Sequence, residues 1–169
     1  EITAVTFTNQ AAEEMKERLS RELESRKLAD AMHIGTFHGL CLELLMKQGG
    51  FYAVADPYDC ILLMEEAIQR LGLKGKASSL LRKLSACKNR CLEKEALPEG
   101  LYDEYERLLK KNGLADYDDL LLEAWKEAAG WPEENEERKR FSYLLVDELQ
   151  DSNELQHLLL EEWGRFSKE

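Results

Sequence analysis

Leu144-Leu145-Val146-Asp147-Glu148-Leu149-Gln150-Asp151-Ser152-Asn153 decides the fold. Its three apolar residues, with Phe141 and Tyr143 just before them, read as a short buried strand of a parallel sheet. The strand ends on two adjacent carboxylates, and a helix capped by Ser152 or Asn153 follows. Ligands bind at the carboxyl ends of strands in open parallel sheets, so a strand that delivers Asp147 and Glu148 there places acid groups in a site. Mg²⁺ on nucleotide phosphates suits such a pair, because that ion is usually held by one or two carboxylates plus substrate oxygens. The alternative is a strand that simply leaves the core into a polar loop.

The same design recurs upstream. Residues 2–7 read as a strand closed by Thr8 and Asn9, either of which can cap a helix whose apolar stripe is Ala12, Met15, Leu19 and Leu23. Residues 33–37 read as a second strand and residues 39–46 as a helix, an order that implies a parallel α/β sheet. The pattern changes at Gly49-Gly50. From there to Gly113 only helices and loops are expected, with helices over 58–71, 78–92 and 101–111 punctuated by Asp56-Pro57, Gly72, Pro98 and Gly100. A helix over 117–129, the strand 142–146 and a helix over 153–166 complete an α/β fold with a helical insertion.

Phe7 and Phe37 present rings at two strand ends, beside the hydrogen-bonding groups of Thr6, Asn9, Thr36 and His38. Bases of single-stranded nucleic acid stack on such rings, while hydroxyls and backbone groups take phosphates. Taken singly, each Phe reads more readily as core packing, and His38 as a capping or core histidine.

A net charge of −11 argues against a general nucleic-acid binder. Its distribution is uneven, however: residues 67–92 hold no acid, yet carry Arg70, Lys74, Lys76, Arg82, Lys83, Lys88 and Arg90. That segment is either a solvated helix face or a local phosphate-binding surface. Cys41, Cys60, Cys87 and Cys91 are scattered rather than arranged as a disulfide framework. Cys87 and Cys91 lie one helical turn apart, which a metal pair would need. They also continue the apolar stripe of Leu80 and Leu84, which makes core thiols the better reading and a reducing cytoplasm the default compartment. No apolar run approaches the roughly 18 residues of a membrane span.

Four segments, in order, resemble the UvrD/Rep/PcrA family of superfamily 1 DNA helicases. Residues 2–15 look like that family's motif Ia and residues 34–40 like motif Ib. Asp116-Tyr117-Asp118-Asp119-Leu120-Leu121 looks like the acidic-aromatic motif at the return from the inserted subdomain, and residues 145–153 look like motif II, the Walker B element. The resemblance implies a partial RecA-like parallel sheet, residues 1–48 and 114–169, interrupted by an inserted all-helical subdomain, residues 49–113.

It further implies that Asp147 holds Mg²⁺ through water, that Glu148 activates the water attacking the γ-phosphate of ATP, and that Gln150 and Asp151 couple the nucleotide site to neighbouring loops. Phe7, Asn9, Thr36, Phe37 and His38 would line a single-strand track, and Arg82, Lys83, Lys88 and Arg90 would face duplex at a junction. The parent would translocate 3′ to 5′ on single-stranded DNA. Relatives of this kind also occur as the helicase part of AddA-type helicase–nucleases, and a non-catalytic nucleic-acid-binding module is a third reading.

Two positions depart from the family pattern: Gln10 stands where Lys is usual, and Leu149 where an aromatic is usual. The insertion is also short. No G-x-x-x-x-G-K-[ST] sequence occurs. The resemblance therefore implies an upstream P-loop segment and a second motor lobe elsewhere in the parent chain, and predicts that these residues alone are inactive. A sheet without its P-loop strand is expected to have an open edge liable to pair with another chain.

Overall fold

The computed structural model describes residues 1–47, 53–90, 93–165 and 167. The expected change of pattern at Gly49-Gly50, Cys91, and the helix ends at Leu92 and Phe166 lie outside them. Strands β1 (Ile2–Thr6), β2 (His33–Thr36) and β5 (Tyr143–Val146) form a parallel sheet of order β2-β1-β5. Thr6 pairs with Thr36 and Val5 with Val146, so all three strands end at one edge. The α/β class with a parallel sheet and a helical insertion is thus the observed one.

β1 is buried on both faces. Ala4 packs with Ala12 and Ile34 under α1 (Asn9–Glu22), while Val5 faces a larger cluster on the other side. That cluster is built from α3 (Phe37–Lys47), α7 (Tyr117–Ala129) and α8 (Glu154–Gly164), with Phe141 stacked between Trp131 and Trp163. A short helix, α2 (Arg26–Asp30), leads into β2 and was not foreseen in the sequence.

The strand expected to be buried is only half so. In β5, Leu144 and Val146 pack inward, whereas Tyr143 is 49% and Leu145 59% exposed. Among the described residues β5 pairs only with β1, and an edge strand alternates where a central parallel strand is apolar on both sides.

Helices α4 (Pro57–Arg70), α5 (Ala77–Lys88) and α6 (Leu101–Lys111) enclose a separate core around Met64, Leu84, Leu101, Tyr105 and Leu108. Leu101, Tyr105, Leu108 and Leu109 recur at helical spacing, so one face of α6 is apolar. The expectation of helices and loops alone here needs correction. Ala53–Val54 (β3) pairs in parallel with Leu114–Ala115 (β4), clasping the entry and exit of the helical segment. Two-residue strands have no periodicity to read; only the partner across the ladder defines them.

One ion cluster fastens this helical layer to the sheet layer. The Lys88 ammonium, at the end of α5, lies 2.6 Å from Glu106 Oε1 on α6, 2.7 Å from Asp116 Oδ2 and 2.6 Å from Asp119 Oδ1 at the start of α7. Its side chain is fully buried. Asp116 and Asp119 form a capping box: Asp116 Oδ1 accepts the Asp119 N–H at 2.9 Å, and Asp119 Oδ2 accepts the Asp116 N–H at 3.1 Å. Each aspartate therefore spends one oxygen on the helix and the other on Lys88. Burial opposes the Lys88 charge, but the three carboxylates outweigh it and hold its pKa above the ordinary lysine value. Burial also pushes the Asp119 carboxyl up to about 6; Lys88 pulls it down, and Asp116 and Glu106 push it up again.

Removing the cation strands two buried carboxylates, Asp116 and Asp119, and the partly exposed Glu106. Lys88→Met should cost about 3–5 kcal/mol, lowering the thermal midpoint by on the order of 10 °C. Lys126→Ala breaks an exposed pair and should shift stability by under about 1 kcal/mol. Calorimetry on both variants checks this, and equal shifts would contradict it. A second expectation concerns pH. A raised acid pKa means that the folded chain binds the proton more tightly than the unfolded one. The stability that this proton contributes is fully present below the ordinary aspartate pKa of about 3.9 and is lost as pH rises through about 6. Carbon-detected titration of the Asp119 carboxyl should give a midpoint near 6, and an ordinary midpoint would refute the crowding of carboxylates described here.

Candidate functional site at the strand ends

Three loops meet at the carboxyl edge of the sheet, and local chemistry sets each. At β1, the buried Thr6 hydroxyl donates to Thr8 O at 3.1 Å, and Thr8 Oγ1 accepts the Ala11 N–H at 3.1 Å to cap α1. This tight exit leaves Phe7 36% exposed, with Asn9 and Gln10 on the surface-facing first turn of α1. At β2, Thr36 Oγ1 accepts the Gly39 N–H at 3.1 Å and starts α3.

Phe37 is then carried into the core at 2% exposure. It cannot offer a face to a base, which corrects the expectation for that ring. Instead its edge meets Phe7 at 5.6 Å and 63°, so it supports the ring that is presented. His38 stands half-buried beside it, its ring edge-on to Tyr117 at 5.4 Å. Burial lowers the His38 pKa against the opposing pull of Asp118, so the ring is neutral near pH 7 and serves contact rather than charge. Tyr117 is 54% exposed at the first turn of α7.

At β5, the Asp147 N–H donates to Val5 O at 3.0 Å, the last bond of the ladder. The chain then turns through Glu148 at φ 51° and ψ 43°, a left-handed conformation that costs an L residue about 1–2 kcal/mol. The turn leaves both carboxylates exposed, and the Gln150 amide donates to Glu148 Oε2. Leu149, which stands where the family pattern has an aromatic, is 46% exposed. Asn153 closes the segment with a capping box on α8, its Oδ1 accepting the Gln156 N–H at 2.9 Å.

Hard oxygen donors in adjacent, solvent-facing positions suit a Mg²⁺ ion that brings its own water and phosphate ligands. Among the described residues no group of three His, Cys, Asp or Glu side chains is placed to hold a metal by itself. Cys87 Sγ donates instead to Glu93 O at 3.3 Å.

The basic segment is less of a surface than its sequence implies. Lys88 belongs to the buried ion cluster and is withdrawn from any phosphate, a correction to its expected role. Arg70 pairs with Glu66 at 2.5 Å. Arg82 and Lys83 are exposed on α5, and Arg90, at φ 60°, stacks its guanidinium 4.5 Å over the Trp125 ring.

Two residues with a part here went unassigned in the sequence. Tyr117 could have been found from the capping box that flanks it, because Asp116-x-x-Asp119 puts the next position on an open first turn. Asn89 follows Leu80, Leu84 and Lys88, whose spacing of four marks the buried face of α5.

The chain matches the UvrD/REP helicase N-terminal domain family over residues 1–163. It is 33% identical to ATP-dependent DNA helicase UvrD1 of Mycobacterium leprae (strain TN) over 187 residues, covering 96% of this chain and 24% of the relative. It is 32% identical to ATP-dependent DNA helicase PcrA of Bacillus subtilis (strain 168) over 182 residues, covering 95% of this chain and 24% of the relative. The chain thus spans about a quarter of the length of the relatives it matches. With that match running through β1, β2, the helical segment and β5 alike, the chain belongs to the UvrD/REP helicase N-terminal domain family.

Proposed function

We propose that this chain is the nucleotide- and strand-facing part of an ATP-dependent DNA helicase, whose parent translocates 3′ to 5′ on single-stranded DNA and unwinds duplex. The observation that carries the reading is the convergence of three loops at one sheet edge: an exposed carboxylate pair just past β5, the exposed Phe7 ring after β1 and the half-buried His38 ring after β2. The names of the relatives, ATP-dependent DNA helicases, agree with it.

In this reading residues 1–48 and 114–169 are core and residues 49–113 the inserted subdomain. Asp147 takes Mg²⁺ through water, and the ion supplies charge neutralisation to the nucleotide phosphates. Glu148 orients and deprotonates the attacking water, and Gln150 fixes the carboxylate that does so. Phe7, Asn9, Thr36, His38 and Tyr117 form the single-strand face, with Phe37 as its support. Arg82, Lys83 and Arg90 face duplex phosphates at the junction. Without a P-loop sequence the chain alone turns over no ATP. In this reading the parent works in a reducing cytoplasm, where Cys41 and Cys60 stay as thiols.

ATP hydrolysis by the full-length parent, with and without single-stranded DNA, tests this beside Glu148→Gln. A lost general base should lower DNA-stimulated turnover by about 10²-fold or more while nucleotide binding persists. Turnover that survives in the variant, or a parent without turnover, would refute the assignment.

A further inference from the structure

Three helix ends meet behind the carboxylate turn, and one side chain bonds to all of them. Asn89 is the C-cap of α5 and is 7% exposed. Its own N–H donates to Ser85 O at 2.9 Å, and its side-chain Nδ2 donates to the same carbonyl at 2.9 Å. Nδ2 also donates to Asp118 Oδ1 on the first turn of α7 at 2.7 Å. Oδ1 accepts from Asn153 Nδ2, the N-cap of α8, at 2.8 Å.

The chemistry demands an amide. One end must donate to a carboxylate and the other must accept from an amide, so neither aspartate nor leucine can replace it. Asn153 is equally committed, since its own Oδ1 caps α8 and leaves Nδ2 for Asn89. Asp118 follows Tyr117, whose ring touches His38, and precedes Asp119, which holds Lys88. Asn153 lies a few residues beyond Glu148 across a single turn of 3₁₀ helix, Leu149–Asp151. A path therefore runs from the aromatic pair along the chain to Asp118, through two hydrogen bonds at Asn89 to Asn153, and back along the chain to the carboxylates.

We propose that Asn89 is a positioning residue that couples strand occupancy at His38 and Tyr117 to the placement of Asp147 and Glu148, through Asp118 on one side and Asn153 on the other. This rests on the helicase reading above. A strand stacked on Tyr117 loads the first turn of α7; Asn89 passes that displacement to the cap of α8, which fixes the far end of the carboxylate turn. The residue touches neither nucleotide nor DNA, so its signature is a change in coupling rather than in either binding step.

The test uses the full-length parent at saturating ATP, with single-stranded oligothymidylate as the probe. Asn89→Ala should keep basal turnover and oligothymidylate affinity within about twofold of wild type, while the stimulation factor falls about tenfold. Asp118→Asn preserves the acceptor for Asn89 and should keep stimulation; Asp118→Ala should lose it as Asn89→Ala does. The double variant Asn89→Ala/Asp118→Ala should lose no more than either single change, because both cut one path.

Stimulation within twofold of wild type in Asn89→Ala overturns the proposal. So does an equal fall in basal and stimulated turnover, or additive losses in the double variant. If Asn89→Ala does not fold, the two Asp118 variants decide, and equal stimulation in them overturns it. A wild-type parent that hydrolyses ATP without responding to oligothymidylate overturns the single-strand face; a responsive wild type with a responsive Asn89→Ala overturns the relay alone.

Discussion

A single buried ammonium holds the architecture together. Lys88 reaches out of α5 into a space walled by Glu106, Asp116 and Asp119, and its attraction to three carboxylates outweighs the cost of leaving water. Because two of those carboxylates are also the capping box of α7, the ion pair and the helix start are one object. The first turn of α7 carries Tyr117 and Asp118, so the orientation of the aromatic face and of the Asn89 contact follows from the position of Lys88. The β3–β4 clasp sets the chain ends of the helical segment beside each other, while the ion cluster sets its angle against the sheet.

Much of this was legible in the residues, for identifiable reasons. Helices with strong punctuation are read to the residue: Leu101–Lys111 begins after Pro98 and Gly100 and ends before Gly113, and Tyr117–Ala129 begins at the Asp116 cap and ends at Gly130. The ends of β1, β2 and β5 were legible because each passes from apolar residues to hydroxyls or carboxylates. The clasp was not, since two residues paired across 61 positions leave no local pattern. Phe37 was misplaced because a ring one residue past a strand end is directed by the next helix, whose cap, Thr36, turns it inward. Lys88 is not legible as a buried group because a run of basic residues reads as one surface, although Leu80, Leu84 and Lys88 share a face of α5.

That last point changes the electrostatics. Seven cations in residues 67–92 suggested a broad phosphate-binding strip on an acidic protein. In three dimensions one is buried among carboxylates and another is paired on α4. A third lies flat on Trp125. The exposed remainder is Lys74, Lys76, Arg82 and Lys83. So few exposed cations supply only a weak, salt-sensitive attraction for phosphate.

The carboxylate turn itself is clamped at both ends. Asp147 is tied to Val5 by the last rung of the sheet, and Asn153 is tied to Asn89 and to its own helix. Between these anchors only a handful of residues must reverse direction, and the strain falls on Glu148 in its left-handed conformation. Strain of this kind persists only where the surroundings over-determine the backbone, and it collects at working sites. A residue held in a costly conformation by two fixed points is sensitive to small movements of either one. The sheet rung is a backbone bond of the β1–β5 ladder; the Asn153 end is held by the backbone of α8 and by the side-chain bond to Asn89. In the proposed relay, displacement reaches Glu148 from the helical side, along the contacts that Asn89 makes.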